Sequence, residues 1–152
     1  MTLSYEKSAA DLPKMAESLT RGESDVIADL ANVSALVYDV LPDLNWVGFY
    51  LLKGGELVLG PFQGKPACIR LKIGKGVCGT AVAENRTVVV EDVHKFAGHV
   101  ACDERSRSEM VVPLRKNGEI VGVFDLDSPI VGRFAEIADV IEKTAAVVEG
   151  FL

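Results

Sequence analysis

Asn117 and Gly118 separate two runs of strand-forming residues, "EMVVPLRK" and "EIVGVFDLDS". An Asn-Gly pair between such runs is the strongest short-range hairpin signal, because a two-residue type I′ turn needs positive φ at both central positions. The turn makes the runs antiparallel neighbours and sets their register. It also decides which side chains share a face. Val121, Val123, Asp125 and Asp127 project to one side of the second strand, and Gly122, Phe124 and Leu126 to the other. "WVGFYLLKGGELVLG" repeats the pattern, with Gly54-Gly55 as its turn. "ACIRLKI" and "TVVVEDV" add further strand-like runs around a short helical "GVCGTAVAEN". The expectation is about six strands.

Helices occupy the two ends. Ser24 is placed to cap a helix running to about Leu41, in which Val26, Ile27, Leu30, Val33, Leu36, Val37 and Val40 recur at three- and four-residue steps. An earlier helix is expected from about Tyr5 to Leu19, interrupted by Pro13. Phe134, Ile137, Ile141, Val148 and Phe151 mark an amphipathic C-terminal helix. Helices at both ends of hairpin-linked strands read as an α+β sandwich with a central, mainly antiparallel sheet. The chain has 152 residues and no repeat, low-complexity tract or Pro/Gly-rich linker, so residues 1–152 are expected to be a single domain.

The formal net charge is −6, and the longest basic cluster, Arg105 and Arg107, is flanked by Glu104 and Glu109. Nucleic acids and anionic membranes both need a basic patch, so neither is an expected partner. No apolar stretch approaches the ~20 residues of a membrane span. The N-terminus has no basic leader followed by an apolar run. A cytoplasmic protein is expected on these grounds. Thiols stay reduced there, so an odd count of three cysteines implies a transient disulfide rather than a structural framework.

"GKGVCG" matches G-x-G-x-x-G through Gly74, Gly76 and Gly79, with Asp92 at a plausible distance for a ribose contact. The preceding strand alternates in charge through Arg70 and Lys72, unlike a strand buried on both faces, and no second βαβ unit follows. The glycines read as a tight turn.

The cysteines at 68, 78 and 102 include no C-x-x-C pair, and their spacing is not that of a zinc site even with His99 as a nominal fourth ligand. Cys68 and Cys78 read as small buried hydrophobes, one opening a strand and the other starting a helix. Cys102 sits in the polar "HVACDERSRSEM", where Arg105, Arg107 and His99 can favour its thiolate. An unperturbed thiol is only ~3% ionised at neutral pH, so a nucleophile needs such help. Reactive thiol and small core residue both stay open for Cys102. A Cys–His hydrolase using His99 or His94 would need an oxyanion-hole motif, and none accompanies them.

Two further signals have a bland and a functional reading each. Asp125 and Asp127 are either a strand end emerging into solvent or a mutually repelling pair that retains a proton, with Glu109 completing a cluster from the neighbouring strand. In "NWVGFY", Trp46, Gly48 and Tyr50 share one strand face and Val47 and Phe49 the other. Core packing is the commoner fate of such rings. Alternatively, the glycine leaves a gap between them, and the rings form a small apolar slot.

Taken together, "NWVGFY", "GKGVCGTA", the three cysteines, Glu109 and "FDLDS" resemble the free methionine-(R)-sulfoxide reductases, which are stand-alone GAF-domain enzymes. The resemblance runs from "GESDVIADLANVSALVY" to the C-terminal helix. It implies a GAF-like sandwich and thiol-dependent reduction of free L-methionine (R)-sulfoxide. On its terms Cys102 is the nucleophile, passing through a sulfenic acid, Cys68 is its resolving partner, and Cys78 offers an alternative disulfide. Trp46 and Tyr50 line the pocket for the methylthio end of the substrate. Glu109, Asp125 and Asp127 contact its polar groups and supply the proton. The resemblance further implies recycling by thioredoxin with NADPH consumed upstream, no bound metal or organic cofactor, and a homodimer. The rival reading is a GAF-type small-ligand sensor without catalysis.

Overall fold

The computed structural model describes residues 9–152. Six strands form one antiparallel sheet in the order β3-β2-β1-β6-β5-β4. They are β1 (Trp46–Lys53), β2 (Glu56–Gly64), β3 (Arg70–Lys72), β4 (Val88–Val90), β5 (Ser108–Lys116) and β6 (Glu119–Ser128). Both expected hairpin turns form. φ is 57° and 81° at Gly54 and Gly55, and 53° and 80° at Asn117 and Gly118. Positive φ at both central residues matches the right-handed twist of the flanking strands. The two hairpins then join through β1 and β6, which sets Trp46 opposite Asp127, Gly48 opposite Asp125 and Phe49 opposite Phe124.

The alternation along these strands sorts the side chains into two buried clusters. Val47, Phe49, Met110, Val112, Leu114, Phe124 and Leu126 face one way, under α1 (Leu12–Thr20), α2 (Val26–Val40) and α4 (Ala138–Glu149). The Phe49 and Phe124 rings stack there with centroids 4.9 Å apart. Trp46, Tyr50, Val111 and Val123 face the other way, with Val77, Cys78 and Ala81 of α3 (Gly76–Glu84). Among the described residues, no helix is long and apolar enough to cross a membrane.

Several local expectations are corrected. Asp25, not Ser24, caps α2, its Oδ1 accepting from the Ala28 N–H at 3.0 Å. A carboxylate in that place satisfies an orphan donor and also meets the positive end of the helix dipole. Pro13 lies in the first turn of α1, where a missing N–H costs nothing, so it begins the helix rather than interrupting it. The expected start at Tyr5 falls outside the described residues. β3 begins at Arg70, which leaves Cys68 in the preceding loop instead of opening the strand. That strand pairs antiparallel with β2 at the sheet edge. The glycines after it shape the turn into α3: φ is 84° at Gly74 and 67° at Gly76, and a Cβ on Gly79 would collide with the Lys72 carbonyl.

The gap expected at Gly48 is filled. Phe62 of β2 lies across it and stacks on Trp46, with ring centroids 5.2 Å apart. A Cβ at Gly48 would collide with Phe62 Cβ and lie 2.8 Å from both Phe62 Cα and the Pro61 oxygen. Overpacking of this kind costs about 1–3 kcal/mol. Gly48→Ala should therefore lose about that much in urea unfolding of the disulfide-bonded protein. A loss below ~0.5 kcal/mol would mean that β2 moves aside freely.

Candidate active site

The face of the sheet beneath α3 is apolar except where three central strands run side by side. Register places Glu109 (β5), Asp127 (β6) and Trp46 (β1) in one row, and Val111, Asp125 and Gly48 in the next. Tyr50 follows two residues beyond Gly48, and its ring stacks against Trp46 at 5.8 Å. These rows form the wall of a cavity that Cys78, His99 and Cys102 complete. Trp46, Tyr50, Glu109, Asp125 and Asp127 all line it. The reading of Asp125 as a solvated strand end is overturned, since it is only 5% exposed and Glu109 only 6%.

Two loops border the cavity, through Pro66 and Ala67 on one and Cys102, Asp103 and Ser106 on the other. Cys68 lies between β2 and β3, Cys102 lies between β4 and β5, and a disulfide joins them with a Cα–Cα distance of 5.6 Å. Both loops are anchored. The Tyr50 hydroxyl donates to the Cys68 carbonyl at 2.9 Å, so one ring lines the cavity and holds a cysteine-bearing loop. The Cys102 loop is braced by Asp103, which accepts from Arg105 N at 2.9 Å, from the Arg105 guanidinium at 2.8 Å and from Asn45 Nδ2 at 3.1 Å. These bonds, the Arg105 ones above all, hold the Asp103 carboxyl well below the usual carboxylate range. Arg107 donates to the carbonyls of Glu104 and Ser106. Both arginines expected to favour the Cys102 thiolate are thus engaged in shaping its loop.

The electrostatics of the wall follow from burial. Desolvation pushes Glu109, Asp125 and Asp127 all upward, and their neighbouring charges push further: Asp127 on Glu109, Glu109 on Asp125, Asp125 on Asp127. Cys78 is raised by burial and by the Asp125 charge. His99, with Nε2 3.5 Å from Glu109 Oε2, is lowered by its own burial. Burial and mutual crowding thus raise the proton affinity of all three carboxyls above that of a free carboxyl. Asp125 Oδ1 and Trp46 Nε1 are buried with no hydrogen-bond partner among the described residues. An unpartnered acceptor and an unpartnered donor on the lining of one cavity suit a polar ligand.

A GAF domain family model matches residues 21–147. The free methionine-R-sulfoxide reductase of Escherichia coli is 55% identical over 127 residues, covering 84% of this chain and 77% of that protein. The chain belongs to the free methionine-R-sulfoxide reductases, a GAF-domain family. A solved structure of fRMsr from Staphylococcus aureus in complex with substrate is 51% identical, with TM-score 0.90 and 99% of each chain covered. The free methionine-R-sulfoxide reductase from Neisseria meningitidis, also solved with its substrate, is 41% identical, with TM-score 0.92 over 99% of this chain and 93% of that one.

Within this free methionine-R-sulfoxide reductase fold, Cys78, Cys102, Glu109, Asp125, Asp127, Trp46 and Tyr50 line one cavity, Cys68 stands outside its lining, and the residues that support the Cys102 loop had no expectation attached. Asn45, Asp103 and Ser106 form the brace under the Cys102 loop, Asn45 Nδ2 also donating to Ser106 Oγ at 3.0 Å. The one legible signal was Asp103, whose side chain accepts from the backbone two residues on, as aspartates in turns often do. His94 lies outside the cavity, exposed, with Nδ1 3.2 Å from Asp92 Oδ1. Asp92 caps a short 3-10 turn, accepting from His94 N.

The raised carboxyls make a signed pH prediction. Folded, they bind protons that the unfolded chain releases above about pH 4. Their contribution is therefore full below that pH and is lost as pH rises toward the folded-state values. Asp125→Asn removes one such group. Its Tm relative to the parent protein, both disulfide-bonded, should climb as pH rises above about 4 and level off below that pH. A difference independent of pH would mean that Asp125 is not held protonated.

Proposed function

We propose that this chain reduces free L-methionine (R)-sulfoxide to methionine. The observation that carries this reading is the Cys68–Cys102 disulfide, whose Cys102 lines a cavity walled by three carboxyls and two stacked rings. It is supported by the similarity to enzymes of that name in Escherichia coli and Neisseria meningitidis.

In the reduced protein, the Cys102 thiolate attacks the sulfoxide sulfur while a protonated carboxyl of the Glu109, Asp125 and Asp127 set gives its proton to the sulfoxide oxygen. The hydroxyl then passes to Cys102 Sγ as the new sulfur–sulfur bond and the old sulfur–oxygen bond break. Methionine leaves, and Cys102 carries the oxygen as a sulfenic acid. Cys68 then condenses with that sulfenic acid, forming the disulfide and releasing water. The net change is sulfoxide plus two thiols to thioether, disulfide and water, which balances without a metal or an organic cofactor. The Trp46 and Tyr50 rings hold the methylthio end. An ionised carboxylate of the same set pairs with the substrate ammonium, so the crowded acids serve as proton donor and as cation holder together. A peptide-linked methionine sulfoxide lacks that ammonium and would leave the carboxylate unpaired, which disfavours it. An external dithiol of the thioredoxin type, itself reduced at the expense of NADPH, restores the two thiols in the reducing cytoplasm.

Single-turnover chemistry separates the two cysteines. Cys68→Ser, reduced and then freed of reductant, should release about one methionine per active site from the (R) epimer, while its thioredoxin-linked turnover falls at least tenfold. Cys102→Ser should release none. Methionine is quantified by amino-acid analysis, with the (S) epimer as control. Methionine formation by Cys102→Ser at the parent rate would sink the assignment of the nucleophile.

A further inference from the structure

Cys78 is the thiol left outside the disulfide, and the reaction proposed above does not use it. Its surroundings are unlike those of an inert core cysteine. Its Sγ, one carboxylate oxygen of Glu109 and one of Asp125 all lie within 4.8 Å of one another. The three residues are 4%, 6% and 5% exposed. Asp125 Oδ1 has no hydrogen-bond partner among the described residues, and it sits on the wall of the same cavity. His99 stands at the edge of the cluster, 3.5 Å from Glu109 Oε2. A substrate ammonium accounts for carboxylates, but it gains little from a neighbouring thiol. Sulfur, two carboxylate oxygens and a nearby imidazole nitrogen are together a donor set for a thiophilic divalent cation.

We propose that Cys78, Glu109 and Asp125 form a binding site for Zn²⁺ or Cd²⁺, entered through the cavity and competing with the substrate for the same carboxylates. Zinc–sulfur bonds of about 2.3 Å and zinc–oxygen bonds of about 2.1 Å place tetrahedral donors roughly 3.5 Å apart. The three donors therefore close in by at most about 1.3 Å, within reach of side-chain rotation. His99 Nε2 or a water takes the fourth position. On binding, the Cys78 S–H and any carboxyl O–H bonds break, metal–sulfur and metal–oxygen bonds form, and the protons pass to solvent with no change of oxidation state. The cation replaces like-charge crowding with attraction. It is a competitor and takes no part in the disulfide chemistry. Binding does not rest on the reductase reading; the loss of turnover that follows from it does.

The disulfide-bonded protein provides the test, because Cys78 is then its only available thiol. Titration with Cd²⁺ should give one ion per chain, the ultraviolet charge-transfer band of a thiolate–Cd²⁺ bond, and measurable proton release, with affinity rising as pH rises. Cys78→Ser should lose the band. Asp125→Asn should keep the fold, judged by near-ultraviolet circular dichroism, and bind at least tenfold more weakly. No band from the parent protein at stoichiometric Cd²⁺, or parent-like affinity in both variants, would overturn the site. Methionine sulfoxide turnover, followed separately on reduced protein, keeps the two readings apart. A band without turnover leaves the metal site standing and fails the reductase reading. Turnover without a band does the reverse.

Discussion

The pairing of β1 with β6 is the constraint on which everything else depends. Each strand belongs to its own hairpin, and an isolated hairpin is at best marginally stable in water. Joined antiparallel, they set Phe49 on Phe124 on the helical side, where the rings stack in the main core. On the other side the same register sets Trp46 opposite Asp127 and Gly48 opposite Asp125. A slip of one residue would send every side chain to the wrong face, carrying the carboxylates into the helical core and the phenylalanines into the cavity. The packing of one face thus guarantees the chemistry of the other.

That arrangement carries a cost in electrostatics. A buried carboxyl is disfavoured when ionised, and three that face one another are disfavoured more. Apolar residues of similar size at those positions would give a more stable fold, the trade often seen where a site needs destabilised groups. Ring stacking and hydrogen bonds flank the acids. The Phe62–Trp46–Tyr50 stack braces one side of the cavity, and the Asp103 network with Arg105 and Asn45 braces the loop opposite. Tyr50 extends the first brace to the Cys68 loop, since its ring lines the cavity and its hydroxyl holds that loop.

Under the proposed reaction this geometry divides labour by depth. Cys68 and Cys102 sit on two loops joined by the disulfide. The proton-holding acids sit on central strands, where water is scarce and their affinity for protons is raised. Cys78 lies with the acids at the start of α3, apart from the redox pair. Burial and the Asp125 charge push its own thiol upward, which favours the neutral form.

Period and turn chemistry made most of the fold legible in the sequence. Asn117-Gly118 and Gly54-Gly55 demand two specific hairpins, and period-two alternation assigns Asp125 and Asp127 to the face opposite Phe124 and Leu126. Those signals are local, because they depend on backbone preferences within a few residues. Where a signal was local but shared by neighbours, reading erred by a residue or two: Ser24 and Asp25 can both cap, and only the actual entry angle of α2 selects Asp25. Non-local relations were beyond it. Nothing in "NWVGFY" announces that Phe62 fills the space at Gly48, and nothing near Cys102 announces Asn45, which arrives from far along the chain. Composition and spacing left Cys102 poised between reactive thiol and core residue, and the pairing with Cys68 came only from family resemblance. The sequence by itself determined the strands, their faces and the residue types available for chemistry. Tertiary structure alone decided which of them are buried together, because desolvation and charge crowding, the two effects that set the acids apart, exist only once distant strands pack side by side.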